Sequence, residues 1–330
     1  MLCTRFFAAI VPVFIIILIG MAVERTSLIP ESAGQVLGIF VVNVAMPCLL
    51  FHAMSQVTVE QLAQGGWWLV QVAAQLIFFA VFFAIDRLRG CSFGACVISG
   101  ISVGFPNAAF VGLPVVMSLM LGNSEALTVA GLCLVATNIN GVLAPVALGA
   151  WNRKRRGEKT EGSAAKRFLA GLKFFVLGNP VACATLLGVL VALLHIHIWE
   201  PLDKAIKMVG MLAPACMLFS LGFGLRAKFV RALSGGMGVL LHSLMISTVK
   251  LVLFPAFTWA GLAFMGYTGV WLAVPVIIAS TGCAVVCSVF GEVYGASPEE
   301  SAMTVAITNI VSFFSLLTAI WLLQQQGVTF

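Results

Sequence analysis

The sequence predicts an all-α polytopic membrane protein, with ten transmembrane helices in two inverted five-helix repeats and a broken crossover helix in each. Three observations predict it. First, 61% of the 330 residues are hydrophobic and 9% are charged, with a mean hydropathy of +1.09. A soluble domain carries about 25% charged residues. Second, apolar segments long enough to cross a bilayer, about 17–25 residues each, recur along the whole chain. Third, the two halves resemble each other. AMPCLLF, Ala45 to Phe51, lies in the second segment of the first half, and APACMLF, Ala213 to Phe219, in the second segment of the second. An odd number of spans per repeat inverts one half relative to the other, an architecture found in transporters.

The segments run Phe6–Val23, Ala33–Met54, Gly66–Ile85, Cys91–Leu121 and Glu125–Trp151, then Phe174–His195, Leu202–Leu225, Gly238–Phe264, Gly269–Gly291 and Ser301–Leu323. The first is a retained span, because it is long and lacks a small-x-small cleavage site. The repeats are therefore residues 1–151 and 173–330. A short basic linker, 152–172, joins them. The fourth segment is the unusual one. GISVGFPNAAFVGLPVVM, Gly100 to Met117, places Gly104, Pro106, Gly112 and Pro114 around Asn107. Proline removes a backbone donor and glycine loosens a helix. In lipid such a break survives only where protein or a water-lined cavity satisfies the freed backbone. These residues predict a broken helix at a binding site near the membrane midplane. The ninth segment, STGCAVVCSVFGEVYG, is its counterpart, with Gly282 and Cys283 at the expected hinge.

Charge fixes the expected orientation. Fourteen Lys and Arg residues fall in the connections after segments one, three, five and seven, and three fall on the other side. The linker is then cytoplasmic and both termini are outside. The net charge of +6 lies in these connections and does not point to nucleic acid.

The chemistry-bearing residues exclude more than they prescribe. All twelve carboxylates lie in loops or at segment ends, which argues against a cation antiporter built on a mid-membrane carboxylate. No Ser/His/Asp set or paired carboxylates suggest an enzyme. No GxxxxGK[ST] loop binds a nucleotide. The nine cysteines are scattered without metal-ligand spacing, so neither metal nor cofactor is expected. The polar residues left inside segments are amides and hydroxyls, including Ser55, Gln75, Asn107, Asn138, Asn140, Thr308 and Asn309. Neutral donors beside a half-helix N-terminus suit an anion. Lys250 is the one basic residue embedded in a segment. It is expected to draw in an anion, pair with a loop carboxylate or snorkel to a headgroup.

PNAAFVGLPVV, Pro106 to Val116, resembles the fourth-helix motif of the auxin efflux carrier family, which includes plant PIN-FORMED carriers and bacterial malate and malonate permeases. NVAMPCLLFHAMS (Asn43 to Ser55), GNPVACATLLG (Gly178 to Gly188), KLVLFP (Lys250 to Pro255) and FGEVYG (Phe290 to Gly295) resemble further motifs of that family, in order. The resemblance implies a sodium/proton-antiporter-like fold whose fourth and ninth helices cross, with Pro114 as the first crossover proline. Helices one, two, six and seven would form a scaffold, and helices two and seven a homodimer interface. It further implies secondary transport of a small organic anion across a bacterial inner membrane. A dicarboxylate such as malonate or malate leads, with an auxin-like monocarboxylate, or a passive channel on the same scaffold, as alternatives. Asn107 carries over as a substrate-binding position, with Ser55 and Asn138 or Asn140 as weaker transfers. Helix nine departs from the family, lacking its prolines around Gly282 and Cys287 and having Val286 where bacterial relatives often have Asn. Gly282 is left as the expected break.

Overall fold

The computed structural model describes residues 2–26, 28–30, 32–120, 122–157, 178–232 and 236–328. Most of the linker and the start of the sixth segment lie outside them. The regular structure of the described residues is helical, apart from one isolated antiparallel backbone bridge. We number the main helices α1 (Leu2–Val23), α2 (Ala33–Met54), α3 (Gly65–Leu88), α4 (Phe93–Gly104), α5 (Ala108–Leu119), α6 (Ser124–Arg155) and α7 (Pro180–Leu193). They continue as α8 (Glu200–Gly210), α9 (Ala213–Ala232), α10 (Gly236–Phe264), α11 (Gly269–Ala279), α12 (Val286–Tyr294) and α13 (Pro298–Gln325). Among the described residues, six stretches are both long and apolar enough to cross a membrane: Ala33–Met54, Val59–Leu88, Ser124–Arg155, Glu200–Phe223, Gly236–Phe264 and Pro298–Gln325. α4, α5, α7 and α11 are apolar but shorter.

The helix ends follow from local chemistry. Ser92 accepts from the Ala95 amide at the start of α4, and Asn123 from Ala126 at the start of α6. Asn179 caps α7, with Pro180 in its first turn. These are the side chains and positions that satisfy a helix's orphan amides. α2, α5 and α10 each contain one widened, π-type turn: Val41–Ala45, Ala108–Gly112 and Val249–Leu253. Each ends two residues before a proline, Pro47, Pro114 or Pro255. A proline cannot donate to the carbonyl four residues back and its ring crowds it. The wider turn accommodates the proline without ending the helix.

Packing groups the helices. α1 lies along α9 at very short range, where a Cβ on Gly222 would collide with the Ile17 carbonyl. α2 packs on α7, α8 and α9. A second group contains α3, α4, α6 and α10–α13, with α3 on α4, α10 on α13 and α11 on α6. α9 meets α13, and α1 meets α5, where the groups touch.

Candidate functional site

α4 and α11 both stop inside the second group, and their ends meet. Phe105 precedes a proline, which pushes it out of the helical region, and its φ and ψ of −115° and 91° are extended. α4 therefore ends at Gly104, and the chain resumes as α5 at Ala108. α11 ends at Ala279 with no proline in the turn. The Ser280 hydroxyl donates to the Val276 carbonyl and the Thr281 hydroxyl to that of Ile278. The two extended breaks then pair: the Asn107 amide donates to the Gly282 carbonyl at 2.8 Å, and the Ala284 amide to that of Phe105 at 2.9 Å. Pro106 faces Cys283 across this bridge.

Four half-helices converge here, two by their carbonyl ends and two by their amide ends. Left alone, their opposed dipoles would largely cancel. The side chains around them break the balance. The last carbonyl of α4, on Gly104, accepts from the Asn140 amide at 2.8 Å, and Asn140 also donates to Gln75 at 3.1 Å. The last carbonyl of α11, on Ala279, accepts from the Lys250 ammonium at 2.7 Å. Lys250 is 0% exposed and lies 4.3 Å from the centre of the Phe254 ring. Asn309 of α13 donates to the carbonyls of Cys283 and Val305. The Cys283 amide donates to Thr308. The side-chain donors Asn140, Lys250 and Asn309 are thus turned toward carbonyl oxygen.

The amide ends are left differently. Asn107 and Val285 precede α5 and α12, and neither side chain caps its helix. The Asn107 carbonyl accepts from Val111 and Gly112, one turn in. The first-turn amides of α5 have no partner within their own helix, whereas in α12 the Cys287 and Ser288 amides donate to the Ala284 and Val285 carbonyls, which leaves that end less open.

A cavity of about 450 Å³ lies against these amide ends. Phe110 of α5 and Val285 and Val289 beside α12 form one wall. Gly34, Gln35, Ile39 and Asn43 of α2, with Ser220 and Leu221 of α9, form the other. A second cavity, about 460 Å³, lies nearer the opposite end of α2, and His52, Gln56, Asn123, Asp203 and Lys207 are among its lining. His52 and Asp203 meet there at 2.7 Å. A third cavity, about 500 Å³ between α10, α11 and α13, has no charged side chain in its lining.

The structure gathers most of the sequence-selected residues and separates others. Gly104, Pro106, Asn107, Gly282 and Cys283 lie in the paired breaks, and Asn140 and Lys250 contact the breaks directly. Asn107 is 2% exposed, and its amide nitrogen donates to Asn309 at 2.7 Å, leaving that nitrogen's second hydrogen free of this bond. Pro114 is displaced from the role the resemblance implies. It lies inside α5, and Pro106 occupies the bridge. Gly112 sits one turn into α5, close against Ile278. Lys250 is fully buried on the Ala279 carbonyl and pairs with no carboxylate among the described residues. Asn138 is half-buried and makes no hydrogen bond among the described residues. Ser55 donates to the His52 carbonyl, and its backbone packs against Gly188 of α7, away from the crossing. Asn309, which joins both breaks, is a polar residue in an apolar segment, and only its pairing across 202 positions reveals its place.

Residues 5–321 match the profile of the membrane transport protein family. A protein of Rhizobium meliloti named "Putative malonate transporter" is 26% identical over 317 residues, covering 96% of this chain and 95% of that protein.

Proposed function

The chain belongs to the membrane transport protein family, a protein of transport and not an enzyme, and on that premise we propose that it is a secondary transporter of small organic anions. The substrate class is a dicarboxylate such as malonate, in line with the name of the Rhizobium relative. The observation that carries this reading is the polarity of the crossing. Carbonyl ends are met by Lys250, Asn140 and Asn309, and uncapped amide ends face a cavity. Helix amide ends attract carboxylates without a formal partner charge. Asn107, beside the α5 amide end, would supply a side-chain donor.

In this proposal the chain makes ten spans in two inverted five-helix repeats, α4–α5 and α11–α12 being the broken pair. The parallel between the halves supports it. Gln75 and Asn140, from the third and fifth segments, serve the first break. Lys250 and Asn309, from the eighth and tenth, serve the second. The group with α1, α2, α7, α8 and α9 would be the scaffold and form a homodimer. The other group would move past it, opening the two cavities by turns. The protein would lie in a bacterial inner membrane with both termini outside. A monocarboxylate with an apolar body is the second reading, favoured by the Phe110, Val285, Val289 and Leu221 walls.

The test is counterflow in proteoliposomes. Preloading with unlabelled malonate should accelerate uptake of labelled malonate. Uptake that ignores preloading would indicate a channel, and acceleration only by an aromatic monocarboxylate would favour the second reading.

A further inference from the structure

A second polar cluster lies toward the far ends of the helices that hold the crossing. Asp86, in the last turn of α3, is 1% exposed. His242 of α10 stands between it and Glu300 of α13. Its Nε2 is 3.0 Å from Asp86 Oδ1, off the line of an ideal hydrogen bond, and its Nδ1 is 2.8 Å from Glu300 Oε1. Ser99 of α4 donates to Glu300 Oε1 at 3.2 Å, and Arg89 lies 3.2 Å from Asp86 Oδ1. Asp86 Oδ2 is buried with no hydrogen-bond partner among the described residues. Arg87, Cys91 and Cys96 are the other charged or titratable groups around the cluster among those residues.

A neutral imidazole carries one N–H. With a carboxylate on each nitrogen, a neutral ring would aim a lone pair at an anion. The arrangement requires one further proton, making the ring an imidazolium or one carboxylate a carboxylic acid. A metal ion fits less well, although the three ligand atoms lie within 4.8 Å of one another. It would bind one ring nitrogen with both carboxylates gathered on it, and here each carboxylate takes a different ring nitrogen.

The helices meeting here are those that build the crossing. α3 carries Gln75, α10 carries Lys250, α13 carries Asn309, and α4 ends at Gly104. We infer that Asp86, His242 and Glu300 form a proton-binding site that couples pH to anion binding at the crossing. The proton is taken from water and returned to it. While bound, it draws α3, α10 and α13 together. Its loss loosens them and shifts Gln75, Lys250 and Asn309 against the broken helices. The coupling rests on the proposed function; the proton site does not.

The experiment compares purified wild type, His242→Gln and Glu300→Gln from about pH 6.5 to about pH 9.5, where a small dicarboxylate stays ionised. Melting temperature and malonate affinity are both measured. Wild type should lose melting temperature as pH rises, and its affinity should change by up to about tenfold per pH unit, the limit for one linked proton. His242→Gln should flatten both curves, and Glu300→Gln should displace their midpoint. A wild-type melting profile in His242→Gln overturns the proton site. A flattened melting profile with malonate's pH dependence intact overturns the coupling. If His242→Gln does not fold, an unmoved midpoint in Glu300→Gln overturns the proposal. Failure of malonate to bind any of the proteins removes the transport reading, and the melting curves still decide the proton site. A zinc- or manganese-induced rise in melting temperature that His242→Gln abolishes replaces the proton with a metal.

Discussion

The two breaks at the crossing reach one geometry by different means. The first is built into its own sequence: Pro106 forces Phe105 extended, and a neutral amide, Asn140, satisfies the Gly104 carbonyl. The second has no proline in the break and is held from outside, by Lys250 on the Ala279 carbonyl and Asn309 on that of Cys283. The first break should therefore tolerate loss of a neighbour better than the second. The comparison also separates shape from charge. The first break supplies the more open amide end, and only the second brings a cation.

The largest effect is expected where the second break has no spare room. A Cβ on Gly282 would lie 2.7 Å from the Asn309 amide nitrogen and 2.8 Å from its Cα, both backbone. Gly282→Ala should destabilise by about 3 kcal/mol, the upper range for overpacking, seen as a clear fall in melting temperature. A variant melting with wild type would show that this break yields as easily as the first.

Lys250→Met comes next and should split stability from function. It leaves a buried carbonyl without its donor, costing about 1–3 kcal/mol. It also removes a buried ion whose desolvation opposes folding by several kcal/mol. These oppose each other, so melting temperature should move little. Anion affinity should fall by roughly tenfold to a hundredfold, the value of about 1.4–2.8 kcal/mol of lost attraction. Unchanged malonate affinity in a folded variant would confine Lys250 to structure.

Much of this arrangement was legible in the sequence. Composition gives the class, and Gly104, Pro106 and Asn107 mark the first break, because proline and glycine act on their own neighbours. Gly282 marks the second more faintly. What one sequence could not reveal is partnership at distance. The Asn107–Asn309 bond, Lys250 on Ala279 and His242 between two carboxylates each join different helices. Polar residues inside apolar segments announce that partners exist without saying which. Asp86 stands at a segment end in the sequence and is buried in the fold. The resemblance implies Pro114 at the crossover, and the π-type turn before it lets the helix continue.

Asn107→Leu should have a mixed effect. It strands the Asn309 oxygen at a cost of about 1–3 kcal/mol and removes a substrate donor worth about 1.5–3 kcal/mol. Melting temperature and malonate affinity should fall together. A variant matching wild type in both would remove Asn107 from crossing and site alike. Ser55→Ala should be the smallest effect, within about 0.5 kcal/mol in stability and without loss of malonate affinity. A large affinity loss would move the site toward the second cavity.

The central claim is that the anion lies between the amide ends of α5 and α12 and the wall made by α2 and α9. Val289 lines that cavity and is 45% exposed. In a background lacking the native cysteines, alkylation of Val289→Cys is timed with and without malonate, beside Gln56→Cys in the second cavity. At about ten times Kd, malonate should slow alkylation at position 289 by about tenfold, the factor set by occupancy, and leave position 56 unprotected. Equal rates at position 289 in protein that still binds malonate would contradict the account.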